Sequence, residues 1–465
     1  MSLAPDDTWL PRYHVTADRN WLNDPNGPIH VDGRYHLFFQ ANPAAPEWGP
    51  PHWGHVSSTD LVTWTRHPVA LAPGPDPDAP DRDGCWSGCA RIVDGRPTIY
   101  YTGVVGDGDE RVESICRAVG SADLKEWTKD PDNPLVAGPP APLGSGYHRD
   151  PFLWRDDDGW HLLLGSGTIG PDRHGTVLVY HSPDARSWTY GGVFFEAPRH
   201  LDGTDLGEHW ECPQLLRFDD GDVLVLSAQD PHAPHPLMHA VYFVGKAAEG
   251  RFDGQLGGRL DGGDAWYAPA ATVDAGGRTL IWGWIQEHLP PETQRRLPRV
   301  GALSLPRVAT LTDGALTTVP APELDRLRTG PPLAGPVTVH GHSHLLPAHD
   351  HGQLEVTARI SGEAGTARWE LGPGLAVAVD LDRHRFTLTT PHGHHHAGIG
   401  HRPLTEAELR IFLDGTICEV HLADQASLTA RCYPPSAGRG PITALAGPAV
   451  EAAACTVWRL AGALP

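Results

Sequence analysis

Three carboxylic residues stand in short motifs that could carry acid–base or nucleophilic chemistry. Asp24 and Asp150 each precede a proline, and Glu211 lies in the run Trp-Glu-Cys-Pro. Carboxylates gathered in one place raise one another's pKa, so such a group is costly and needs a function. Two uses fit: oxygen ligands for a hard cation, or the nucleophile and general acid of glycoside hydrolysis.

A repeat in the first 330 residues supplies the elements that could bring these carboxylates together. Glycines spaced by 62, 64, 62 and 56 residues each open a β-rich apolar run, and they are Gly33, Gly95, Gly159, Gly221 and Gly277. A second motif, S-x-D-x-x-x-W, keeps the same period at residues 58–64, 121–127 and 182–188. Units of this length hold four short strands with their turns, so the repeat predicts a five-bladed β-propeller.

A different pattern follows the repeat. Short alternating segments, among them residues 353–360, 409–413 and 418–422, predict β-strands. The Gly- and Pro-rich stretch between the two patterns reads as a linker. We therefore predict an all-β protein with a five-bladed β-propeller catalytic domain over residues 1–330, a linker over 331–337 and a C-terminal β-sandwich over 338–465.

The repeat also predicts where the carboxylates lie. Asp24 and Asp150 stand nine residues before a hairpin glycine and Glu211 stands ten before, which puts all three at one position of an innermost strand. The same position holds Trp86 in blade 2, and Tyr267 lies beside it in blade 5. Innermost strands converge on the axis of a propeller, so we expect one acidic pocket with aromatic walls. Aromatic walls favour a sugar ring over a bare ion.

The motifs resemble those of a known family. Residues 20–27, Asn-Trp-Leu-Asn-Asp-Pro-Asn-Gly, closely resemble the W-M-N-D-P-N-G motif of glycoside hydrolase family 32, the invertases, inulinases and levanases. Further motifs that look like those of the family follow in order at residues 39–43, 52–55, 86–88, 148–151, 210–213, 267–269 and 303–307. Residues 409–415 resemble a strand pair of its C-terminal sandwich, so the resemblance covers both domains.

The resemblance implies a catalytic role for each carboxylate. Asp24 would be the nucleophile that attacks C2 of a fructosyl unit, and Glu211 would be general acid and then base. Asp150 would bind fructose hydroxyls, and desolvation by Trp210 would raise the pKa of Glu211. The implied substrate-binding residues are Asn23, Gln40, Trp48, Trp86, Ser87 and Arg149. Arg149 would also offset the surplus negative charge.

Three other features of the sequence have a bearing on function. The family often has Asp where Ala265 stands, and Asp264, one position earlier, could take its place. Cys85 and Cys89 are predicted to pack in the core, because no second pair follows to complete a zinc site. The histidine-rich stretches, residues 340–351 and 392–401, fall in the predicted sandwich, and we expect no functional metal site there.

Charge and composition restrict the partners. Lys and Arg number 36 against 57 Asp and Glu, and the net charge of −21 argues against nucleic acid and anionic membranes as partners. No signal-peptide pattern opens the sequence, no run of 18 apolar residues follows, and the seven cysteines are scattered, so a cytoplasmic protein is expected. We expect no cofactor and no metal ion. The sequence indicates no oligomeric state.

The leading prediction is a retaining β-fructofuranosidase that releases terminal fructose from sucrose or short fructo-oligosaccharides through a fructosyl-enzyme. An exo-fructanase acting on inulin or levan and a fructosyltransferase of the same family are alternatives, and so is a non-catalytic sugar-binding propeller. A sucrose 6-phosphate hydrolase would need a cationic phosphate pocket. The chain has only three lysines, so the cations of that pocket would have to be Arg or His.

Overall fold

Strands make up nearly all of the regular structure. The computed structural model describes residues 9–140, 147–348, 352–400, 404–433 and 440–462. Within these ranges the helices are one α-helix, α1 (Pro291–Gln294), and short 3-10 segments at Gly108–Glu110 and Pro322–Leu327. None of the described helices has the length and hydropathy needed to cross a membrane. The prediction of an all-β chain is confirmed.

Antiparallel sheets of four consecutive strands follow one another from residue 20 to residue 259. The first contains β1 (Asn20–Val31), β2 (Arg34–Asn42), β3 (His52–Ser58) and β4 (Thr65–Leu71), and the second contains β5 (Gly84–Val93), β6 (Arg96–Val105), β7 (Val112–Gly120) and β8 (Trp127–Lys129). The third contains β9 (Arg149–Asp156), β10 (Gly159–Gly167), β11 (Gly175–Ser182) and β12 (Thr189–Glu196). After a two-stranded ribbon of β13 (His200–Leu201) and β14 (Thr204–Asp205), the fourth contains β15 (His209–Phe218), β16 (Gly221–Gln229), β17 (Leu237–Ala248) and β18 (Arg251–Arg259).

A fifth sheet completes the first part of the chain. It contains β19 (Trp266–Val273), which pairs with β20 (Thr279–Ile285). β20 also pairs with β22 (Ala302–Leu303) and β23 (Arg307–Thr312), and β23 pairs with β24 (Ala315–Pro320). Between β20 and β22 in the chain, β21 (Arg299–Val300) pairs in parallel with β1 and so joins the first sheet. The first strands of the five sheets pack against one another in succession, and β19 packs against β1.

The repeated sequence motifs make turns at equivalent places in the sheets that contain them. Each hairpin glycine lies at the turn between the first two strands of its sheet and has a positive φ, such as 73° at Gly33 and 74° at Gly95, which glycine adopts without strain. In the S-x-D-x-x-x-W motif, the Asp60 carboxylate accepts the backbone N–H groups of Val62 and Thr63 at 3.0 and 2.7 Å. This side-chain turn links the third strand to the fourth.

Two six-stranded sheets form the second part of the chain and share one apolar core. Their strands are β25 (Ala334–Val339), β26 (Gly341–Leu346), β27 (Gln353–Gly362), β28 (Thr366–Glu370), β29 (Ala376–Asp380), β30 (Arg385–Thr390), β31 (Gly393–Gly398), β32 (Leu404–Asp414), β33 (Ile417–Leu422), β34 (Ala426–Arg431), β35 (Ile442–Ala446) and β36 (Val450–Arg459). One sheet has the order β25-β36-β27-β32-β33-β34 and the other β26-β35-β28-β29-β30-β31. Buried Trp369, Phe386 and Ile411 belong to the core between them.

The structure differs from the predicted linker at one point. Residues 334–337, which the sequence analysis assigned to the linker, form the first part of β25 and pair with β36. Val339 is buried and Val337 is exposed, and the ladder with β36 shifts register between these two residues. Pro336 fits because β25 is at the edge of its sheet, where a missing N–H breaks no ladder.

A buried polar network joins the N-terminal segment to the second part of the chain. His14 Nδ1 lies 2.8 Å from Asp414 Oδ2, and its Nε2 lies 2.9 Å from Glu419 Oε1. Arg307 Nη2 donates to Glu419 at 2.6 Å, and its Nη1 donates to Asp261 at 2.8 Å. All of these side chains are almost completely buried, so each charge depends on its partners.

Stability is expected to depend on pH through His14. Burial alone would lower the His14 pKa, but hydrogen bonds to Asp414 and Glu419 outweigh burial and raise it. The paired, protonated histidine therefore stabilises the fold fully below its unfolded pKa of about 6.5, and this contribution is lost as pH rises through the raised folded pKa. Urea unfolding at pH 6 and pH 9 should show that His14→Gln costs more free energy at pH 6.

The exposed His340 supplies the control for this measurement. His340→Gln should leave the free energy of unfolding near that of the wild type at both pH values. An equal cost of His14→Gln at pH 6 and pH 9 would contradict the charged pairing.

Candidate active site

Seven of the nine predicted site residues lie on the first strands of the sheets, near β-bulges, while Gln40 lies on β2 and Trp48 in the loop that follows β2. The ladders of β1, β5, β15 and β19 shift register between Leu22 and Pro25, Trp86 and Gly88, Glu211 and Gln214, and Tyr267 and Ala270, and β9 has a matching shift opposite Leu163–Gly165. Asp150, Cys212 and Ala268 have positive φ values of 62°, 51° and 51° at these bulges. A bulge turns a side chain out of the regular alternation, which is how strands aim residues at a common centre.

The register corrects one sequence prediction. Arg149 pairs with Gly165 and Glu211 with Ser227, each six residues after its hairpin glycine. Glu211 is therefore equivalent to Arg149, and Cys212 is equivalent to Asp150. The prediction that the three carboxylates share one strand position is wrong by one residue, because a residue count cannot allow for the bulges.

The carboxylates nevertheless meet in one pocket of about 340 Å³. Its lining contains eight of the nine site residues predicted from the sequence, and they are Asn23, Asp24, Gln40, Trp48, Trp86, Arg149, Asp150 and Glu211. The ninth, Ser87, contacts Asp24 from behind the lining. The structure thus brings together residues that are nearly 190 positions apart in the sequence.

Asp24 is oriented by three side-chain donors. Ser87 Oγ donates to its Oδ2 at 2.7 Å and Gln40 Nε2 donates to the same oxygen at 3.3 Å, and Gln40 and Ser87 also hydrogen-bond to each other. Asn23 Nδ2 donates to Oδ1 at 3.2 Å. The indole N–H of Trp21 donates to Asn23 Oδ1 at 2.9 Å, which fixes the amide so that its nitrogen faces Asp24. One carboxylate is therefore held in a single orientation at the pocket wall.

Asp150 is tied to the strand that carries Glu211. Its Oδ2 accepts the backbone N–H of Cys212 at 2.9 Å, and its own N–H donates to Thr102 at 2.9 Å. The Cys212 thiol lies 3.6 Å from Asp150 and 3.9 Å from Asp24. Cys212 is a buried spacer between two carboxylates, and burial together with their charge raises its thiol pKa well above the usual range. A raised pKa argues against a thiolate nucleophile.

Glu211 is held between a cation and a phenol. Arg149 donates to Glu211 Oε1 from Nη2 at 2.8 Å and from Nε at 3.2 Å, and Tyr267 donates to Oε2 at 2.6 Å. Trp210, which the sequence analysis placed against this carboxyl, packs in an apolar cluster against Phe195. Arg149 and Tyr267 therefore supply the polar environment of Glu211.

Sequence reasoning missed the charged residue that supports Arg149. Glu113 on β7 is fully buried, and its Oε1 accepts Arg149 Nη1 at 2.7 Å and lies 2.9 Å from Arg111 Nε. Trp86 and Tyr147 flank both guanidinium groups at centroid distances of 4.6 to 5.6 Å. A single acidic residue inside the apolar strand 112–119 was the available signal, since a charge there must be paired.

Most of the other lining residues also lacked a sequence signal. Beside Arg111 and Tyr147, the pocket is lined by Gln229, Pro236, Leu237, Tyr267 and Trp284. Most come from the ends of strands or from the loop after β16, where no repeat or periodicity singles out one residue. Tyr267 alone was noted from the sequence, as part of the aromatic wall.

The pocket raises the pKa of two of its carboxyl groups. Burial, together with the charge of Glu211, raises the pKa of Asp24 to about 6, while the hydrogen bond from Ser87 works against the rise. Burial and the charge of Glu211 also raise the pKa of Asp150, with Arg149 opposing them. The site therefore contains one well-oriented carboxylate that ionises near neutral pH, a second carboxyl that tends to keep its proton, and a third that is bound by Arg149 and Tyr267.

The arrangement suits displacement at a sugar carbon better than metal binding. Within the described ranges, no three His, Cys, Asp or Glu residues are grouped so that they could hold a metal ion. Two of the carboxylates already accept hydrogen bonds: Asp24 from the amide of Asn23, and Glu211 from the cationic Arg149, which would repel a metal ion. Glycoside hydrolysis needs one carboxylate that acts as nucleophile and one that transfers a proton. This pocket has both kinds of group available, and aromatic side chains line it.

The remaining sequence predictions have separate outcomes. Asp264 does not line the pocket described above; its carboxylate faces His288 at 3.6 Å and His395 at 3.8 Å, so it does not replace the missing acid at Ala265. Cys85 and Cys89 are buried in two different apolar clusters, which confirms the packing prediction. In the histidine-rich stretches, His349, His351 and His401 lie outside the described residues.

The hydrogen bond from Ser87 is expected to set the acidic limb of the activity profile. If Asp24 is the nucleophile that the resemblance implies, it must be ionised to react, and kcat/KM should fall as pH drops below the Asp24 pKa of about 6. Ser87→Ala removes a donor that lowers this pKa, and the limb should move up by about 1 pH unit, because a hydrogen bond to a charged group contributes roughly 1.5 kcal/mol. Initial rates between pH 4 and pH 8 give the comparison.

Ser57→Ala is the matched control for that measurement, because Ser57 is a buried serine whose Oγ lies 2.7 Å from His67, outside the pocket. Its acidic limb should coincide with that of the wild type. A limb that stays in place in Ser87→Ala would show that Asp24 does not control it.

Comparison with known proteins connects this geometry to a family. The profile described as "Glycosyl hydrolases family 32 N-terminal domain" matches residues 14–320. A raffinose invertase of Escherichia coli is 33% identical, over 94% of this chain and 92% of its own. A sucrose-6-phosphate hydrolase of the same organism is 31% identical, over 92% of this chain and 90% of its own.

Solved structures agree on the fold at lower sequence identity. A family 32 β-fructofuranosidase of Bombyx mori is 24% identical and superposes with a TM-score of 0.80, covering 99% of this chain and 96% of its own. Fructan 1-exohydrolase IIa from Cichorium intybus is 23% identical with a TM-score of 0.80, covering 99% of both chains. At this level of sequence identity, these two structures show only that the fold is shared.

Proposed function

The chain belongs to family 32 of the glycosyl hydrolases, and from that premise we propose that it is a retaining β-fructofuranosidase. It releases β-linked terminal fructose from sucrose or short fructo-oligosaccharides through a fructosyl-enzyme intermediate. The observation that carries this proposal is the meeting of Asp24, Asp150 and Glu211 in one pocket walled by Trp48 and Trp86. Two relatives that span nearly the whole chain are described as a raffinose invertase and a sucrose-6-phosphate hydrolase, which supports sucrose-type substrates.

The fold that positions this site is proposed to be a five-bladed β-propeller followed by a β-sandwich. Each of the five successive sheets would be one blade, and the closed succession of contacts from β1 through β5, β9, β15 and β19 back to β1 supports a ring. The catalytic propeller would span residues 1–330 and the sandwich residues 338–465. The segment between them would belong in part to β25.

The proposed mechanism follows from the contacts of the carboxylates. Asp24, oriented by Ser87, Gln40 and Asn23, attacks C2 of the fructosyl unit. Glu211 gives its proton to the leaving oxygen and then takes a proton from the water that releases fructose. Microscopic reversibility requires the same group to serve in both steps. A retaining enzyme of this kind passes through a covalent ester at Asp24.

The other predicted site residues bind and position the sugar in this proposal. Asp150 lines the pocket and is available to fructose hydroxyls, whose hydrogen bonds would strengthen as positive charge develops on the ring. Arg149 keeps Glu211 in place and balances the negative charge of the pocket. Trp48, which is 54% exposed, and Trp86 pack edge to face at 5.7 Å and form a wall for the sugar.

Products from several substrates test the proposal. Sucrose, inulobiose and levan should each be incubated with the enzyme, and glucose and fructose should be counted separately. Equal release of glucose and fructose from sucrose is expected, with little action on levan. Glucose in clear excess over fructose would point to a fructosyltransferase, faster release from levan to an exo-fructanase, and no release to a sugar-binding protein. The cytoplasmic location stays a prediction.

A further inference from the structure

A second cavity lies apart from the active-site pocket, and the two share no lining residue in the described part of the chain. It has a volume of about 740 Å³ and lies beside β2, β4 and the turn between β7 and β8. The proposed hydrolysis uses none of its groups. Four of its lining side chains carry nitrogen, and they are Arg34, His36, His67 and Lys125.

His36 is nearly buried and has one ring nitrogen without a partner. Its side chain lines the cavity, although the residue is only 5% exposed. Nδ1 lies 2.9 Å from His55 Nε2, whereas Nε2 makes no hydrogen bond to any of the described residues. Polar atoms withdrawn from water are almost always paired. The unpaired nitrogen is therefore available to a group that enters the cavity.

His55 determines which proton His36 can present. His55 is 2% exposed, and its Nδ1 has no hydrogen-bond partner among the residues that the structure describes. A buried N–H without a partner is rarer than a buried acceptor without one, so Nδ1 of His55 is the unprotonated nitrogen. His55 Nε2 then donates to His36 Nδ1, and the proton of His36 lies on Nε2. The cavity thus meets a hydrogen-bond donor, which suits an anion and not a metal ion.

A histidine pair in the third sheet shows the same contact with its outer nitrogen occupied. His161 Nδ1 lies 3.0 Å from His181 Nδ1, and the Asp156 carboxylate lies 2.7 Å from His161 Nε2. The protein therefore engages both ring nitrogens of His161. No described carboxylate contacts His36 in this way, so the pair in the first sheet is left open towards the cavity.

Arg34 brings a positive charge to the same wall. Its Nη1 donates to Ser57 Oγ at 3.4 Å, and it forms no ion pair with a described carboxylate. Lys125, by contrast, pairs with Asp123 at 3.1 Å. The other carboxylate along the lining is Asp32, at the exposed turn between β1 and β2. The uncompensated charge beside His36 is thus a guanidinium, whose fork of donors fits an oxyanion.

The pKa shifts of the two histidines agree with a positive local field. Burial and then the charges of His67 and Arg34 lower the pKa of His36 to about 4, against the opposing charge of Asp123. Burial also lowers the pKa of His67, and there Lys125 and Arg34 again act more strongly than Asp123. A field that disfavours added protons attracts an anion.

We propose that this cavity is a binding site for a tetrahedral oxyanion, a sulfate or phosphate group, held by Arg34 and His36 with His67 and Lys125 beside them. Arg34 supplies its fork of donors and His36 supplies its Nε2–H. The volume leaves room for an organic portion, so the occupant is either the free ion or an ester of it. The site is separate from the proposed hydrolysis, because it lies outside the active-site pocket.

Titration calorimetry on the full chain tests the site, with sodium sulfate as the probe at pH 6 in about 0.1 M chloride, which screens non-specific attraction. The wild type should bind one sulfate with a Kd of about 1 mM or lower. Arg34→Gln should weaken binding by about 10-fold or more, because it removes a charge-assisted hydrogen bond. Lys125→Gln should weaken it less, since Lys125 already pairs with Asp123.

Arg96 supplies the matched control. It opens β6 directly after Gly95, as Arg34 opens β2 directly after Gly33, and it is exposed and does not line the cavity. Arg96→Gln should keep the wild-type Kd. Equal weakening in Arg96→Gln and Arg34→Gln would indicate a general attraction of anions to the protein surface and would overturn the proposal.

The histidines add a second signature, because sulfate keeps its charge between pH 6 and pH 8. A bound anion favours the protonated imidazole, so the wild type should bind sulfate about 2- to 5-fold more tightly at pH 6 than at pH 8. His36→Gln keeps a donor but cannot take up the proton, so its affinity should change less with pH, whereas His30→Gln should keep the full change. The groups that act on the two rings are His30, Arg34, His55, Asp123 and Lys125.

Two results would overturn the site: no binding of sulfate, inorganic phosphate or glycerol 3-phosphate by the wild type, or an affinity that Arg34→Gln leaves unchanged. Tighter binding of glycerol 3-phosphate than of inorganic phosphate would identify an ester as the occupant, and the reverse would identify the free ion. If the buried His36→Gln fails to fold, Arg34→Gln and Lys125→Gln decide the matter, because both of these side chains are exposed.

Discussion

Asp24→Ala is expected to lower kcat on sucrose by on the order of 10⁴-fold or more, because no covalent intermediate can form without the nucleophile. The loss should be equally severe on p-nitrophenyl β-fructofuranoside, whose good leaving group needs no proton. Activation of the leaving group cannot replace the group that attacks C2. Steady-state rates on both substrates, with enzyme concentration verified by absorbance, give the measurement.

Asp18→Ala is a suitable control, because this carboxylate is 86% exposed and neither Asp18 nor its ion-pair partner Arg66 lines the pocket. It should keep the wild-type rates on both substrates. Activity of Asp24→Ala above about 1% of the wild type on either substrate would remove Asp24 from the role of nucleophile.

Glu211→Ala should behave differently from Asp24→Ala. On sucrose kcat should fall by about 10² to 10⁴-fold, the usual contribution of general acid–base catalysis. On p-nitrophenyl β-fructofuranoside the first step should be nearly unimpaired, because the departing phenolate needs no proton. Azide should accelerate turnover by intercepting the fructosyl-enzyme, since an anionic nucleophile needs no general base. The expected product is β-fructosyl azide, which mass spectrometry and NMR identify.

Glu126→Ala removes an exposed carboxylate and is the control. Its kcat should match that of the wild type on both substrates, and azide should not accelerate its turnover. If Asp24→Ala and Glu211→Ala show the same dependence on leaving group and azide, the assignment of the nucleophile and the acid is wrong, even when both residues are essential.

The sequence predicted the parts of the structure that depend on short-range patterns. The hairpin glycines lie at equivalent turns because a turn with positive φ favours glycine, and the S-x-D-x-x-x-W segments at Asp60 and Asp184 make equivalent side-chain turns. The residues of the pocket that stand in motifs, such as Asp24 and Asp150, were found in the same way. Local chemistry determines both features, so it is visible in a single sequence.

The features that were missed depend on contacts distant in the chain. The strand position of Glu211 was off by one residue because bulges insert residues that a sequence count cannot see, and β1 has two of them. Glu113 serves Arg149 from 36 residues away, and Arg111 owes its orientation to that pairing. Residues 334–337 form a strand because β36, more than a hundred residues later, pairs with them.

The configuration of a trapped product tests the central claim most directly. Sucrose should be cleaved by the wild type in water containing methanol, and the methyl fructofuranoside formed should be analysed by ¹³C NMR, because this glycoside cannot mutarotate. A covalent intermediate at Asp24 requires two inversions at C2, and the account predicts methyl β-fructofuranoside as the product. Methyl α-fructofuranoside would contradict it, since a single displacement with inversion leaves no role for a nucleophilic Asp24.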